Sequence, residues 1–243
     1  MNNYFITTAS DYTNDVIHIG HAYQKILADS LARYHRLLGD RTHFLTGTDE
    51  NGQKVEKSAR DKGLDPKEFV DQIAAADKAE WDSLNISYDR FFRSTDSDHF
   101  EFAPKVYLKA KENGDIYKGK FEGYYCVDCE SYYDASDLVD GKCPIHTTKT
   151  IQFLSEENYF FRLSKYQDFL IKHIETHPEF VWPEKHRNEV LAFIKRGLKD
   201  FSVSRPNKSW GIPVPDDATH KIYVWFDALI YHLTYGIEEN CWT

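Results

Sequence analysis

Cys126-Val-Asp-Cys129 is followed, after thirteen residues, by Cys143-Pro-Ile-His146, and no other stretch constrains the fold as tightly. Two ligand pairs, each with two intervening residues, can fold into two tight knuckles that aim four side chains at one ion. Three thiolates and one imidazole make a closed tetrahedral Cys3His shell, the kind that holds structural zinc. Such soft donors disfavour magnesium and calcium. A closed shell leaves no open position for substrate, so the ion is expected to hold the fold, at about one zinc per chain. Four cysteines in 243 residues are too few for a disulfide scaffold, which points to a reducing compartment. The fourth, Cys241, stands alone and reads as a free thiol of no special role.

The segments around the knuckle alternate in period. Tyr4–Thr8 reads as a buried strand, and Ala22, Tyr23, Ile26, Leu27, Leu31, Tyr34 and Leu38 then recur at helical spacing until Gly39. A second strand follows at His43–Thr48. Asp65-Pro66 supplies an N-cap and a first-turn proline for a helix with Phe69, Ile73 and Trp81 on one side. A third strand at Arg90–Arg93 precedes a helix ending near Asn113-Gly114. This order predicts a parallel sheet covered by helices, with ligand at the carboxyl ends of its strands. From 115 to 162 the pattern changes to short aromatic strands. Helical spacing returns at Ser164–His177 and Pro183–Gly197, then strand-like Phe201–Ser204 and Ile222–Trp225. The expected divisions are 1–114, the first half of a doubly wound domain; 115–200, an insertion with the knuckle at 122–150; and 201–243, the start of the second half.

No basic segment precedes a long apolar core at the N-terminus, and no run approaches the roughly 20 apolar residues of a membrane span. A cytoplasmic protein with no membrane partner is expected. The net charge of -9 argues against a surface that is wholly a nucleic-acid footprint.

His18 and His21 flank Gly20, between the first strand and its helix. No third or fourth ligand lies near them, so a shared metal ion is disfavoured. A glycine at a helix N-terminus lets a phosphate approach free N–H groups, and imidazole N–H groups there can stabilise developing charge. By itself such a pair is modest evidence.

His18-Ile19-Gly20-His21 resembles the first signature of the class I aminoacyl-tRNA synthetases. "FLTGTDENGQKV" (44–55), "YCVDCESYY", "CPIH", "NYFFRLSKY", "RNEVLAFI", "GLKDFSVSRP", "WGIPVP" and "YVWFDAL" narrow the resemblance to the methionyl-tRNA synthetase family, in family order over almost the whole chain. The fold this implies is α/β: a Rossmann-type (HUP-like) parallel sheet interrupted by a connective insertion with a zinc knuckle. The implied reaction is ATP-dependent activation of L-methionine to methionyl-adenylate, then transfer to tRNA(Met), without a protein nucleophile. Magnesium would accompany ATP through its phosphates.

Carried over by position, the resemblance assigns His18 and His21 to catalysis and to ATP phosphates, with Gly20 leaving room for the nucleotide. Asn14 and Arg205 fall at further ATP-binding positions. Tyr12, Asp49, Trp225, Ala228 and His232 fall at methionine-binding positions, Asp49 suited to the substrate ammonium. Taken singly, Asp49 reads as a helix N-cap, Trp225 as core and Arg205 as a surface charge; the joint match reverses this for Asp49 and Trp225.

Three departures carry expectations of their own. Asp11 and Asp15 would repel ATP unless they point away or bind magnesium. His232 replaces a tyrosine expected to line the methionine pocket. The second family signature, Lys-Met-Ser-Lys-Ser, and the anticodon-binding domain have no counterpart before Thr243. The chain is therefore expected to be an N-terminal fragment, inactive alone, with an unpaired sheet edge that leaves it unstable or in need of a partner. A homodimer would form through regions beyond Thr243. Two other classes fit less of the sequence: another class I synthetase or nucleotidyltransferase with this histidine signature, and a non-catalytic, zinc-dependent RNA-binding fragment. Exchange of pyrophosphate into ATP driven by a different amino acid marks the first, and tRNA binding without ATP binding marks the second.

Overall fold

The computed structural model describes residues 2–148 and 151–238. Cys241 and the closing segment, and the last two residues of the expected knuckle, lie outside the described residues.

Strand β3 (Arg41–Asp49) is the spine of a parallel sheet. Along one edge it pairs first with β1 (Asn3–Thr7) and then with β2 (Asp11–Tyr12), where Tyr12 stands opposite Asp49. Along the other it pairs with β4 (Arg90–Arg93). Alternation along β3 sends successive side chains to opposite faces. Phe44 packs with Ala28 and Ala32 of α1 (Ile19–Leu37) and Trp81 of α3 (Pro66–Ser83), while Leu45 and Phe92 pack with Tyr231 and Tyr235 of α7 (Val224–Glu238). Helices thus cover both faces, as the alternating pattern predicts. Gly47 is needed where β3 meets β4: a Cβ there would lie 1.8 Å from the carbonyl oxygen of Phe92.

Helix α2 (Gln53–Asp61) packs its Val55 and Ala59 against Phe69, Val70 and Ile73 of α3. Helix α4 (Ser97–Glu112) leads into an antiparallel sheet of order β6-β5-β7-β8, formed by β5 (Ile116–Cys126), β6 (Ser131–Tyr133), β7 (Gln152–Phe161) and β8 (Phe201–Ser202). Between β7 and β8, α5 (Gln167–Thr176) and α6 (Glu184–Lys195) pack through Ile174 and Ile194. A second antiparallel sheet, of order β10-β11-β9, comprises β9 (Ser204–Pro206), β10 (Pro213–Val214) and β11 (Asp217–Ile222). Val203 ties the two together: its N–H donates to Tyr159 at 2.7 Å and its carbonyl accepts from Tyr223 at 2.9 Å.

Several expectations need correction. The strand expected at Ile222–Trp225 ends at Ile222, and Val224 and Trp225 open α7 instead. The strands at β5 and β7 are long, running 11 and 10 residues. Strand β1 is only partly buried because no strand among the described residues pairs its outer edge. The apolar stripe of α1 does not face the sheet. Lys25, Ala28, Asp29 and Ala32 are buried, whereas Tyr23, Leu27, Leu31 and Tyr34 are exposed. Small residues let α1 lie close to the sheet, so its larger apolar face points away. No helix among the described residues is long and apolar enough to cross a membrane.

Candidate active site

A cavity of about 540 Å³ opens where β2 and β3 end. Tyr12, Asn14, Asp49, Trp225, Ala228 and His232 all line it, together with Lys54, Glu130 and the knuckle residues Cys129 and His146. The placement follows from the sheet, since Tyr12 and Asp49 are the last residues of paired strands and Trp225 begins the helix that packs over them.

Asp49 is the chemically distinctive group. Its carboxyl is buried, and Oδ1 has no hydrogen-bond partner. Burial raises its pKa well above the carboxylate range, and Asp227 and Glu130 add to the rise against an opposing backbone N–H from Asn51. Neighbouring carboxylates are satisfied from within the protein. Arg93 grips Glu50 through Nε at 2.6 Å and Nη2 at 2.9 Å. Asp227 is held by Nε2 of buried His99 and by the Asn51 amide at 2.6 Å. Among the described residues no cation is hydrogen-bonded to Asp49, so burial favours its protonated form in the empty cavity, and an ammonium group entering there would favour the carboxylate and pair with it. Trp225 presents a half-exposed indole whose N–H donates to the Glu130 carbonyl at 2.9 Å. His232 Nδ1 lies 2.9 Å from Thr7 Oγ1, and burial lowers its pKa, so it is neutral at pH 7.

His18, Gly20 and His21 lie at the N-terminus of α1, outside the lining of this cavity. Helix α1 begins at Ile19, three residues before the first expected position, because the two histidines cap it. Nδ1 of His18 accepts from Gly20 N–H at 3.1 Å, and Nδ1 of His21 accepts from His18 N–H at 3.0 Å. Both rings therefore use Nδ1 as an acceptor, which places the proton of each neutral ring on Nε2. Burial lowers the pKa of His21, Asp11 opposes this, and His18 and Lys25 reinforce it. Gly20 has a steric role: a Cβ would stand 2.8 Å from His18 Cε1. The first turn carries no acidic residue, which leaves the positive end of the helix dipole unopposed. Asp11 points inward to Lys25 at 2.9 Å, and Asp15 accepts from Val16 N–H at 2.8 Å.

Arg205 is not brought to either place. It is 5% exposed, 4.0 Å from the Tyr125 ring centre, and its Nε lies 2.8 Å from Glu156. The surface charge it resembles when read singly is therefore a buried cation in the aromatic sheet.

The knuckle donors converge. Ligand atoms of Cys126, Cys129, Cys143 and His146 all lie within 4.8 Å of one another. The Cys129–Cys143 sulfurs are 3.7 Å apart, and Nδ1 of His146 is 3.7 Å from Cys126 and 3.9 Å from Cys143. Zinc–sulfur bonds of about 2.3 Å put the edges of a tetrahedron near 3.8 Å, so the donor set fits zinc. A disulfide, at about 2.05 Å, is excluded by the same separation. Burial pushes the Cys126 thiol up to about 12. Burial also works against ionisation of Cys143, but N–H groups of His146 and Ile145 hold it down at about 6.

Glu130 is the site residue that sequence reasoning missed. All its partners but Tyr125 lie far away in sequence, from Tyr12 to Trp225, and only its position next to a ligand cysteine could have drawn attention to it.

Comparison with known proteins places these features in a family. The family described as tRNA synthetases class I (M) matches residues 4–153 and 135–240. Methionine–tRNA ligases of Caldanaerobacter subterraneus subsp. tengcongensis and Thermosynechococcus vestitus are 51% and 49% identical over 95% and 98% of the chain. The chain spans only 36% and 45% of their lengths. The Mycobacterium tuberculosis methionyl-tRNA synthetase in complex with methionyl-adenylate superposes with a TM-score of 0.92 at 40% identity, over 96% of this chain and 47% of that one. Its apo form gives 0.75 at 37% identity, over 96% of this chain and 45% of that one.

Proposed function

The chain belongs to the class I tRNA synthetases of the methionine type, and from that premise we propose that its cavity binds L-methionine for ATP-dependent conversion to methionyl-adenylate. The orphaned carboxyl oxygen of Asp49 carries this reading, because among the described residues it is the one buried side-chain acceptor in the cavity wall with no internal partner. Asp49 receives the substrate ammonium. The indole of Trp225 and the small side chain of Ala228 receive the thioether, with Tyr12 and His232 closing the pocket.

ATP lies toward the N-terminus of α1, between Asn14 and the two histidines. With each Nδ1 engaged in capping, the Nε2–H groups of His18 and His21 are the free donors, suited to phosphate oxygens as charge builds in the transition state. The methionine carboxylate attacks the α-phosphorus, pyrophosphate leaves, and no protein group becomes covalently attached. Magnesium enters with ATP, bound mainly through the phosphates. Arg205, held by Glu156 and two tyrosine rings, is left out of the nucleotide site in this reading. In the complete reaction the methionyl group passes to tRNA(Met). Cys126, Cys129, Cys143 and His146 would hold a structural zinc ion. The compartment that goes with unpaired Cys126, Cys129 and Cys143 and with this activity is the cytoplasm.

Equilibrium dialysis with labelled amino acids tests the reading. L-Methionine should bind in preference to leucine, isoleucine, valine and cysteine, and Asp49→Asn should weaken it by about 10- to 100-fold, the loss of a charge-assisted hydrogen bond. Equal binding of leucine, or an Asp49→Asn variant that binds as the parent does, would refute it.

A further inference from the structure

Glu130 directly follows the ligand Cys129 and holds its backbone at φ 50°, in the left-handed region that residues with a Cβ seldom adopt. It is 4% exposed, and hydrogen bonds from several parts of the chain converge on it. Oε1 accepts from the Tyr12 hydroxyl at 3.2 Å and from the Lys54 N–H at 2.5 Å, in the first turn of α2. Oε2 accepts from the Tyr125 hydroxyl on β5. The Glu130 carbonyl accepts from the Trp225 indole at 2.9 Å and from the Tyr223 hydroxyl. Gly52, at φ 108°, leaves the space in which Tyr12 and Glu130 meet: a Cβ there would lie 2.7 Å from the Tyr12 oxygen and 3.0 Å from Oε1 of Glu130.

We propose that Glu130 is a positioning residue that fixes Tyr12 and Trp225, two walls of the cavity, against the Cys126–His146 knuckle, so that the knuckle sets the shape of the amino-acid pocket. Its carboxylate and its carbonyl act on different walls, and both are oriented by a backbone conformation set one residue from a ligand. A residue that merely filled space would not need both groups engaged. Loss of the metal would free Cys129, relax the left-handed turn and loosen both walls together. The effect on methionine rests on the reading of this cavity as a methionine site; the link between knuckle and Trp225 does not.

The test uses the 243-residue chain labelled with 5-fluorotryptophan, with the Trp225 resonance assigned through Trp225→Phe. Glu130→Ala is expected to keep its zinc, to shift the Trp225 resonance and to weaken L-methionine binding at least about tenfold, as loss of a residue supporting a metal site does. Glu130→Gln, which keeps an oxygen for Tyr12 and Lys54, should restore the parent resonance and bind within about threefold of the parent. Chelating the zinc should move the same resonance in the parent. A Trp225 resonance unmoved both by Glu130→Ala and by chelation overturns the proposal. If the parent binds no L-methionine, the proposed function falls and the resonance alone decides the link. If Glu130→Ala does not fold, Tyr125→Phe replaces it: a shifted Trp225 resonance supports the link, and an unmoved one overturns it.

Discussion

Nζ of Lys25 lies 2.9 Å from Oδ1 of Asp11, with the two side chains 0% and 2% exposed. The pair answers the electrostatic difficulty raised by an acidic residue near a phosphate site. Asp11 turns into the protein, where Lys25 neutralises it and also donates to the Ala9 carbonyl at 2.9 Å. Lys25 stands one helical turn after His21, so the same helix that offers the histidines outward secures the loop before them. Lys25→Met keeps the length of the stem but strands Asp11 as an uncompensated buried charge. The expected loss is about 3–5 kcal/mol of stability, read by urea denaturation; a change below about 1 kcal/mol would mean that the pair is open to solvent.

Asp77 of α3 gives the fold a pH dependence of definite sign. Burial raises it to about 7, Asp11 adds to the rise, and Lys25 opposes it. The folded chain therefore keeps a proton on Asp77 over a range in which the unfolded chain, with a carboxyl near 3.9, has lost it. Folded protein binding more protons means that stability falls as pH rises from about 4 to 7. Asp77→Asn should remove that part of the slope and gain most near neutrality. Unfolding free energies of parent and variant at several pH values check this, and parallel curves would contradict it.

Gly20→Ala tests whether the ring that caps α1 also serves the nucleotide. The added methyl would press on His18 Cε1 and displace the ring that caps α1. Loss of an N-cap costs about 1 kcal/mol, so Gly20→Ala and His18→Ala should each destabilise the chain by about that amount. ATP affinity, followed by a fluorescent analogue, should fall in both variants. Replacing His21, whose Nδ1 caps the His18 N–H, should lower ATP affinity with a similar small effect on stability. Retention of full ATP affinity in His18→Ala and His21→Ala together would remove these histidines from the nucleotide site.

The sheet was legible because its signals are local. Arg90–Arg93 and the capped helix after Asp65 stand where period and cap chemistry place them. Asp49 and Trp225 are different: taken singly they read as a cap and a core residue, and only a resemblance across the chain put them in one pocket. What stayed illegible depends on contacts between distant segments. The exposed Leu27 and Leu31 show that helical spacing identifies an apolar face without saying where it points. Short side chains at Ala28 and Ala32 decided which side meets the sheet. Arg205 could not be read as buried, because Glu156 and the Tyr125 and Tyr132 rings surround it from another strand pair. Glu130 has the same cause, since apart from Tyr125 its contacts are made by remote partners.

Metal removal is the sharpest stability test, because the knuckle ties the turn between β5 and β6 to the segment that follows β6, and borders the cavity. Cys126 closes β5, Cys129 is 3.3 Å from the Tyr133 hydroxyl on β6, and the His146 N–H donates to Cys143 at 3.3 Å. With three thiol ligands, protons compete with the ion, so zinc affinity should fall as pH falls. The purified chain should carry about one zinc, and Cys126→Ser should lose it. Because a structural ion contributes folding free energy directly, the variant should lose at least about 3 kcal/mol, and added zinc should not restore it. Chelation of the parent should produce the same loss, reversed on returning zinc. Metal analysis at several pH values, with denaturation of apo and zinc-loaded chain, reads each step. A chain without zinc, or a Cys126→Ser variant as stable as the parent, would show that the four converging donors are a packing cluster.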